Sequence, residues 1–387
     1  MKEFNDSFGM IAKTFQGFET ILADEISALG GRDILILNRA VKFNGDLKLL
    51  YKANHLLRTA LRVIIPIDDF EVRNEDDLYK NVKKVNWNNY ITPNKTLAVD
   101  SSINSSPFNH TNFVALKVKD AIVDRIREEH GSRPSIDTKS PDLMVNVHIF
   151  KNECTISLDS SGSSLHKRGY RQSQTDAPLN EVLAAGLILL TDWKADVDFY
   201  DPMCGSGTFT TEAFSIASGK PPRTEFKYGF MSWSNYEPEL WKKVLRESKE
   251  LIKPVKINFY ASDISGKAVA VSKLNMRHPE MRKTVVISQE DFFNSEPKGD
   301  SGIIMLNPPY GERLKNQDIE KVYRDIGNKL KFDYHGFNAW ILISSKQAEK
   351  SVGLKSNKKF SVLNGAIECK FCNFKLYSGS IKDRYAE

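Results

Sequence analysis

The sequence predicts an α/β protein whose C-terminal part is a mostly parallel sheet with an antiparallel edge hairpin, preceded by two smaller α+β modules. From about Pro178 onward, short apolar runs typical of buried strands alternate with amphipathic helical segments, the pattern of a doubly wound sheet. Near the end of the chain, Asn364 and Gly365 form a hairpin signal between two strand-like runs. The N-terminal part instead follows the order strand, helix, strand, strand, helix, strand.

Length and composition are those of a folded globular protein. The 387 residues suffice for two or three domains, and 41% hydrophobic with 27% charged residues exclude disordered and fibrous classes. The longest apolar run, Val182 to Leu190, is far shorter than the ~20 residues of a membrane helix. Asn5, Asp6 and Ser7 stand where a signal peptide would have its apolar core. We therefore expect a cytoplasmic protein.

The first module is predicted to be a ferredoxin-like domain over residues 1–67. Phe8 to Lys13 is a predicted strand, and apolar residues at helical spacing then continue to a stop signal at Gly30. A strand pair, a second helix after Asp46 and an apolar strand from Thr59 to Ile67 complete the split βαβ order.

The second module is predicted over residues 68–160. It combines the strand Thr96 to Asp100, the amphipathic helix Asn112 to Glu129 and the hairpin Leu143 to Leu158. Neither of the first two modules contains a cluster of residues suited to catalysis.

The pattern of apolar and polar residues changes after the second module. The polar stretch Ser160 to Ser164 has no hydrophobic period, so we predict a linker over residues 161–177 and a C-terminal domain over residues 178–387. Five buried strands are predicted in that domain: Val197 to Tyr200, Ile257 to Ala261, Thr284 to Ser288, Gly302 to Leu306 and Ala339 to Ile343.

The cysteines do not indicate a disulfide framework or a metal site. Four cysteines in a chain of this length are too few, and Cys154 and Cys204 lie in unrelated contexts. Cys369 and Cys372 form a C-x-x-C, but no second Cys or His pair follows at zinc spacing. We expect free thiols and no metal.

Positive charge is concentrated at the C-terminal end. The net charge is 55 − 49 = +6; residues 1–250 carry 32 basic and 34 acidic side chains, whereas residues 251–387 carry 23 and 15. An excess of Lys and Arg in one domain favours a nucleic-acid partner, although a solvated surface also produces such a bias.

The segment Asp201-Pro202-Met203-Cys204-Gly205-Ser206-Gly207-Thr208 stands between a predicted strand and a helix. Its two glycines allow a ligand to approach the backbone closely, and ligands of open α/β sheets bind outside the carboxyl ends of the strands. A dinucleotide is disfavoured, because Thr210 replaces the third glycine of that fingerprint and the next strand-end acid, Asp263, is 56 residues beyond Gly207.

A second motif, Asn307-Pro308-Pro309-Tyr310, directly follows the fourth predicted strand. The Asn307 side-chain oxygen and the Pro308 carbonyl can each accept an N–H, and Tyr310 can stack on a flat heterocycle. These groups together predict a clamp for the exocyclic amine of a nucleobase. The structural alternative is a rigid turn, since prolines are common where strands end.

These motifs resemble those of class I S-adenosylmethionine-dependent methyltransferases that modify exocyclic amines, which share Asp/Asn-Pro-Pro-Tyr after strand four. With the segments Leu165 to Arg171 and Ala177 to Leu179, their order is similar to that of the bacterial THUMP-domain RNA methyltransferases, above all the guanine-N2 enzymes of large-subunit (23S) rRNA. The resemblance covers nearly the whole chain. It implies a Rossmann-like class I methyltransferase fold for residues 178–387 and a THUMP RNA-binding domain for residues 68–160.

The resemblance also implies roles for individual residues. Asp201, Gly205 and Gly207 would line the methionine end of S-adenosylmethionine. Asp263 would accept hydrogen bonds from the ribose hydroxyls, unless it only caps a helix; Asp291, beside Phe292, would hold the adenine, unless it is a turn acid. The expected cofactor-binding set is Pro178, Leu179, Asp201, Pro202, Met203, Cys204, Gly205, Ser206, Gly207, Thr208, Asp263, Ile264, Asp291, Phe292 and Asn307. The expected catalytic set is Asn307, Pro308, Pro309 and Tyr310.

Two segments are candidates for RNA contacts. Lys167, Arg168 and Arg171 place three cations within five residues without an acid, which suits phosphates but also a solvated linker. The insertion between Gly219 and Pro254 interleaves aromatic and basic residues, which suits either stacking on single-stranded RNA or packing of a peripheral helix.

The sequence therefore predicts a methyltransferase that modifies an exocyclic amine in RNA, with N2 of a guanosine in 23S rRNA as the favoured target. The alternatives are a tRNA guanine-N2 enzyme and an adenine-N6 enzyme acting on DNA or RNA. A different class, a non-catalytic RNA-binding ribosome-assembly factor, would require a degenerate cofactor site.

Overall fold

The structure is a computed structural model that describes residues 7–173, 178–223, 227–309 and 318–377. The chain divides into two units, and neither is continuous in sequence. The first unit comprises the residues up to Thr14, Leu22–Lys167 and Arg223–Glu247. The second unit comprises Phe15–Ile21, Arg168–Pro222 and the residues from Ser248 onward.

The first unit is built on one eight-stranded sheet with the order β2-β3-β1-β4-β8-β7-β5-β6. Its strands are β1 (Phe8–Lys13), β2 (Arg32–Leu37), β3 (Ala40–Gly45), β4 (Arg62–Glu71), β5 (Thr96–Asn104), β6 (Ser135–Ile136), β7 (Leu143–Phe150) and β8 (Glu153–Asp159). The helices that lie wholly or mainly in this unit are α1 (Glu19–Ala28), α2 (Leu47–Leu56), α3 (Glu75–Lys84), α4 (Thr111–His130) and α7 (Pro238–Glu250).

The two predicted N-terminal modules share this sheet. Strand β4 pairs antiparallel with β8, from Ile64 opposite Asp159 to Glu71 opposite Glu153. The pairing joins the last strand of the ferredoxin-like order to the final hairpin of the second module. The prediction of ferredoxin-like and THUMP α+β modules is confirmed, and their continuity through β4 and β8 is a feature that the sequence pattern did not reveal.

The polar stretch that we predicted as the start of a linker is buried in the first unit. Ser160 and Ser161 have no exposed surface. The Ser160 hydroxyl donates to the carbonyl of Val63 at 2.7 Å, the Ser161 hydroxyl accepts from the Val63 amide at 2.8 Å, and the Asn54 amide bonds to both serines. The hydroxyls take the place of strand hydrogen bonds where β8 ends, so a polar composition here does not mean solvent exposure.

Residues 223–247 of the aromatic insertion also belong to the first unit, where the rings that the structure describes pack into the core; Phe226 lies outside the described residues. Phe230 stacks on Tyr51 with 4.3 Å between ring centroids, and Trp241 meets His55 edge-on at 5.3 Å. Tyr228 stacks on Phe230 at 5.2 Å. Burial lowers the pKa of His55 to about 4, so this ring is neutral near pH 7. Of the two interpretations of the insertion, these contacts favour packing over RNA stacking.

This packing makes a stability prediction for Trp241. Replacing it with phenylalanine should lower the free energy of unfolding of the first unit by about 1–2 kcal/mol, because the smaller ring leaves a gap beside Tyr51 and His55. Denaturant unfolding followed by near-UV circular dichroism measures this. The control is Phe113→Leu, since Phe113 is 43% exposed and its replacement should change little. Equal stability of the two variants would contradict the core assignment.

The second unit contains a seven-stranded sheet with the order β11-β10-β9-β12-β13-β15-β14. Its strands are β9 (Phe199–Asp201), β10 (Phe259–Asp263), β11 (Val285–Gln289), β12 (Gly302–Leu306), β13 (Phe337–Ile343), β14 (Lys359–Asn364) and β15 (Ile367–Lys375). Its helices are α5 (Glu181–Leu190), α6 (Thr208–Ala217), α8 (Gly266–Asn275), α9 (Pro279–Thr284), α10 (Ile319–Asp333) and α11 (Lys346–Ser351).

The strand directions confirm the predicted mostly parallel sheet with a reversed edge. Strands β9 to β13 pair in parallel, whereas β15 runs antiparallel to both β13 and β14. The carboxyl ends of β9, β10 and β12 therefore meet at one edge of the sheet, and this edge carries the predicted motifs.

Candidate functional site

The turn between β9 and α6 depends on its two glycines. Gly205 and Gly207 have φ angles of +56° and +77°, in the left-handed region that favours glycine. A Cβ on Gly207 would lie 2.1 Å from Cε of Met276, whereas one on Gly205 would meet nothing within 4 Å. The Cys204 amide donates to the carbonyl of Ser262 at 2.9 Å, which fastens the turn to β10. Gly207 thus permits close packing on α8, and Gly205 leaves open space.

Asp201, the last residue of β9, is a buried carboxylate with one unsatisfied oxygen. Its Oδ2 accepts from the hydroxyl of Thr210 at 2.8 Å and from the Thr210 amide at 3.3 Å. Its Oδ1 is buried and has no hydrogen-bond partner among the described residues. Burial raises the pKa of Asp201 to about 7. A buried acceptor without a donor is costly, so Oδ1 is suited to accept from a bound ligand.

Asp263, at the end of β10, organises the backbone around the turn. Its Oδ2 accepts from the Gly205 amide at 2.9 Å, and its Oδ1 accepts from the Ser265 amide at 2.9 Å. Ser265 itself is the N-cap of α8, because its hydroxyl accepts from the Ala268 amide. Asp263 is therefore not the helix cap, and each carboxylate oxygen keeps a lone pair for a ligand.

These groups line one cavity of about 540 Å³ in the second unit. That volume is in the range of cofactor sites. The lining residues are Pro178, Leu179, Asp201, Pro202, Met203, Cys204, Gly205, Ser206, Thr208, Phe209, Asp263, Ile264, Asp291, Phe292, Phe293, Asn307, Pro309 and Val322. The expected cofactor-binding residues thus meet at one place, with the exception of Gly207, which packs behind the turn.

Asn307 enters this cavity directly after β12. Its side-chain oxygen is buried and has no hydrogen-bond partner in the described part of the chain, as expected of an acceptor for a ligand. Pro309 lines the cavity beside it, while Pro308 is buried. Tyr310, the fourth expected catalytic residue, lies outside the described residues.

The predicted adenine-binding residues differ in what they can contribute. Asp291 caps a 3₁₀ turn, with Oδ1 accepting from the Phe293 amide at 3.0 Å and Oδ2 accepting from the Asn294 side chain at 3.1 Å. Phe292 is 2% exposed and packs against Tyr334. Phe293 and Ile264 are instead 37% and 67% exposed and line the cavity, so they offer the accessible apolar surfaces for a flat ring.

Phe209, Phe293 and Val322 are lining residues that sequence reasoning missed. Phe293 had a usable signal, because it is a second aromatic residue directly after the predicted pair Asp291 and Phe292. Phe209 follows the Gly-rich motif by one residue. Val322 had no sequence signal, because its helix, α10, comes close to the cavity only when the second unit folds.

The three predicted RNA-contacting cations are not equivalent. Lys167 is exposed and remains a candidate. The Arg168 side chain is buried and pairs with Glu212 at 3.4 Å, which argues against the predicted contact with an RNA phosphate. Arg171 is 17% exposed and pairs with Glu181 at 2.9 Å, which disfavours the alternative of a solvated linker for this cation. Glu212 and Glu181 lie farther along the chain, so counting the charges next to the arginines does not reveal these ion pairs.

The C-x-x-C pair lies on β15. Cys369 and Cys372 are buried, and burial raises the pKa of each thiol to about 11, which disfavours the thiolate form that metals bind. Within the described ranges, no three His, Cys, Asp or Glu side chains converge in a way that could hold a metal ion. In the same ranges, no helix combines the length and apolar character that crossing a membrane requires.

The parallel sheet with its reversed edge, the Gly-rich turn and the strand-end acids define the second unit as a Rossmann-like methyltransferase domain. The chain belongs to the UPF0020 family, described as RMKL-like methyltransferase domain, which matches residues 168–373. A THUMP domain matches residues 72–159, and the RlmL ferredoxin-like domain matches residues 9–64.

Relatives support this membership over the length of the chain. The Synechocystis protein slr0064, whose name assigns it provisionally to the RNA methyltransferases, is 34% identical over 95% of this chain and 96% of its own length. The proteins named ribosomal RNA large subunit methyltransferase K/L from Syntrophotalea carbinolica and Cellvibrio japonicus are 37% and 34% identical over 93% of this chain. The chain spans about half of their length, 52% and 50%.

Two solved structures are similar to this chain over nearly its whole length. SMU.472, a provisionally assigned methyltransferase complexed with SAH, is 27% identical, with a TM-score of 0.87 over 97% of this chain and 100% of its own. A Listeria monocytogenes protein, described as a predicted N6-adenine-specific DNA methylase, is 30% identical, with a TM-score of 0.85 over 97% of both chains.

Proposed function

We propose that this protein transfers a methyl group from S-adenosylmethionine to an exocyclic amine of a nucleobase in RNA, namely N2 of a guanosine in large-subunit rRNA. The observation that carries the proposal is the buried, unpartnered side-chain oxygen of Asn307 in the same cavity as Asp201 and Asp263. An acceptor at that position suits an amine N–H, and the two acids suit the cofactor.

The residues present fit S-adenosylmethionine. The unsatisfied Oδ1 of Asp201 is suited to the ammonium of the methionine part. Free lone pairs on the Asp263 carboxylate are suited to a cis-diol, and the exposed faces of Ile264 and Phe293 are suited to adenine. The open space at Gly205 allows the backbone to approach a ligand closely.

The chain's own contribution to the reaction is positioning. The cofactor supplies a sulfonium methyl group with a good leaving group, so no strong general base is required. Asn307 and the Pro308 carbonyl would accept the amine hydrogens and direct the nitrogen lone pair toward the methyl carbon. Transfer would break the bond between that carbon and sulfur, release S-adenosylhomocysteine and leave the amine proton to water. The target base must leave any helix before it enters the cavity, which costs a few kcal/mol.

RNA is favoured as the substrate by the THUMP match and by the names of the relatives. The large-subunit assignment rests on the K/L methyltransferases, which are said to act on ribosomal RNA. A cytoplasmic location follows from such a substrate. The second candidate is adenine N6 methylation, which the name of the Listeria monocytogenes structure favours.

Mass spectrometry of methylated nucleosides tests the proposal. The purified protein, S-adenosylmethionine and rRNA from a strain that lacks the gene should yield N2-methylguanosine. Formation of N6-methyladenosine would favour the second candidate instead. RNA binding without cofactor binding and without methylation of rRNA, tRNA or DNA would favour a non-catalytic assembly factor.

The raised pKa of Asp201 predicts how cofactor affinity depends on pH. Below its pKa of about 7, the free carboxyl is protonated and no longer attracts an ammonium group. The deprotonated fraction falls from about one half at pH 7 to about one thirtieth at pH 5.5, so affinity should fall by up to about 15-fold over this range, in which an α-amino group stays protonated. Calorimetry with S-adenosylhomocysteine (SAH) measures this. Asp201→Asn should bind more weakly with little pH dependence; the same slope in both proteins would assign the titration to another group.

A further inference from the structure

Arg171 connects two walls of the cavity. Its Nε donates to Oε1 of Glu181 at 2.9 Å, and its Nη2 donates to the carbonyl of Leu179 at 3.1 Å. On the other side, Nη1 donates to the hydroxyl of Ser206 at 3.1 Å and Nη2 to that of Thr208 at 3.3 Å. Leu179, Ser206 and Thr208 all line the cavity. One guanidinium thus joins the wall before α5 to the Gly-rich turn.

Asn275 holds the backbone that follows Arg171. Its Oδ1 accepts from the amides of Gln172 and Ser173 at 2.8 and 3.3 Å. Its Nδ2 donates to the carbonyls of Ser206 and Ser173 at 3.0 and 3.1 Å. Asn275 is 4% exposed, so these bonds are shielded from water. The segment after Arg171 is therefore fastened to the same turn from a second direction.

The Gly-rich turn needs such external support. Two of its residues are glycines with positive φ. Glycine has no side chain whose packing could resist distortion or local unfolding of the turn. The buried carboxylate of Glu181 holds the guanidinium in one orientation, because a charged pair shielded from water is stronger than an exposed one. A binding wall that is fixed before the ligand arrives gains affinity, since ordering costs nothing further on binding.

We propose that Arg171, oriented by Glu181, is a positioning residue for the cofactor: it sets the separation between Leu179 and the Gly-rich turn at the methionine end of the cavity. The inference rests on the proposed cofactor site. It replaces the role in RNA binding that the sequence predicted for this arginine.

The test compares Arg171→Lys with Arg168→Lys in the full chain. Lysine keeps the charge but cannot bond to Glu181, Leu179 and the two hydroxyls together. Calorimetry should show SAH binding about tenfold weaker for Arg171→Lys. Arg168 is the matched control, since it is a buried arginine of the same segment whose partner, Glu212, does not line the cavity. Arg168→Lys should lower the melting temperature with SAH affinity within about twofold of wild type.

Further measurements separate the possible outcomes. Steady-state kinetics of Arg171→Lys should show a higher KM for S-adenosylmethionine with a nearly unchanged kcat, and RNA affinity with its salt dependence should stay unchanged. If Arg171→Lys folds poorly, Glu181→Gln, which keeps an acceptor oxygen, should still weaken SAH binding about threefold. Unchanged SAH affinity with weaker RNA binding would overturn the inference in favour of an RNA contact. Failure of the wild-type protein to bind SAH would instead overturn the proposed function, and the inference with it.

Discussion

Replacing Asn307 with alanine should lower the rate of methyl transfer by on the order of 10²-fold or more, because a preorganised polar group at the reacting amine is lost. The side-chain oxygen has no hydrogen-bond partner among the residues that the structure describes, so its removal breaks no hydrogen bond within them. The folded state should therefore keep its stability, and SAH affinity should stay within about twofold. Single-turnover rates, thermal melts and calorimetry on the same preparation measure the three quantities.

Asn307→Asp is the informative companion variant. It keeps an acceptor oxygen at the same position and should retain more activity than Asn307→Ala. The alternative interpretation, a rigid turn after β12, expects both variants to lose stability without a selective loss of turnover. A folded, SAH-binding Asn307→Ala protein with normal turnover would refute the catalytic assignment.

Replacing Asp263 with alanine should weaken SAH binding by about 10- to 100-fold, the effect of losing charge-assisted hydrogen bonds in a shielded site. Two causes add. The ribose hydroxyls lose their acceptor, and the Gly205 amide loses the carboxylate oxygen that holds it at 2.9 Å. Calorimetry with SAH measures the sum.

A ligand that lacks one ribose hydroxyl separates the two causes. Wild-type protein should bind 2′-deoxy-SAH more weakly than SAH, whereas Asp263→Ala should bind the two alike. An equal preference for SAH in both proteins would leave Asp263 with only its contacts to the Gly205 and Ser265 amides. The conservative variant Asp263→Asn, which keeps one acceptor oxygen, should lie between wild type and alanine.

The sequence by itself determined the features that depend on neighbouring residues. Local apolar patterning placed β1 and β12 at the observed bounds, because a strand that packs into a core must carry apolar residues along its own length. The turn from Asp201 to Thr208 was predictable for the same reason, since glycine is needed where the backbone takes a positive φ. Parallel strands then bring their carboxyl ends together, which predicted one site for Asp201, Asp263 and Asn307.

Only the tertiary structure decided what depends on partners far along the chain. Arg168 and Arg171 form a cationic cluster in the sequence, yet Glu212 and Glu181 neutralise them in the folded second unit. The aromatic insertion could have met RNA, yet it packs on Tyr51 in the first unit. Composition records which groups are available, whereas burial and pairing depend on which surfaces meet once the chain is folded. The role of a charged or aromatic side chain therefore depends on contacts that a local sequence pattern does not show.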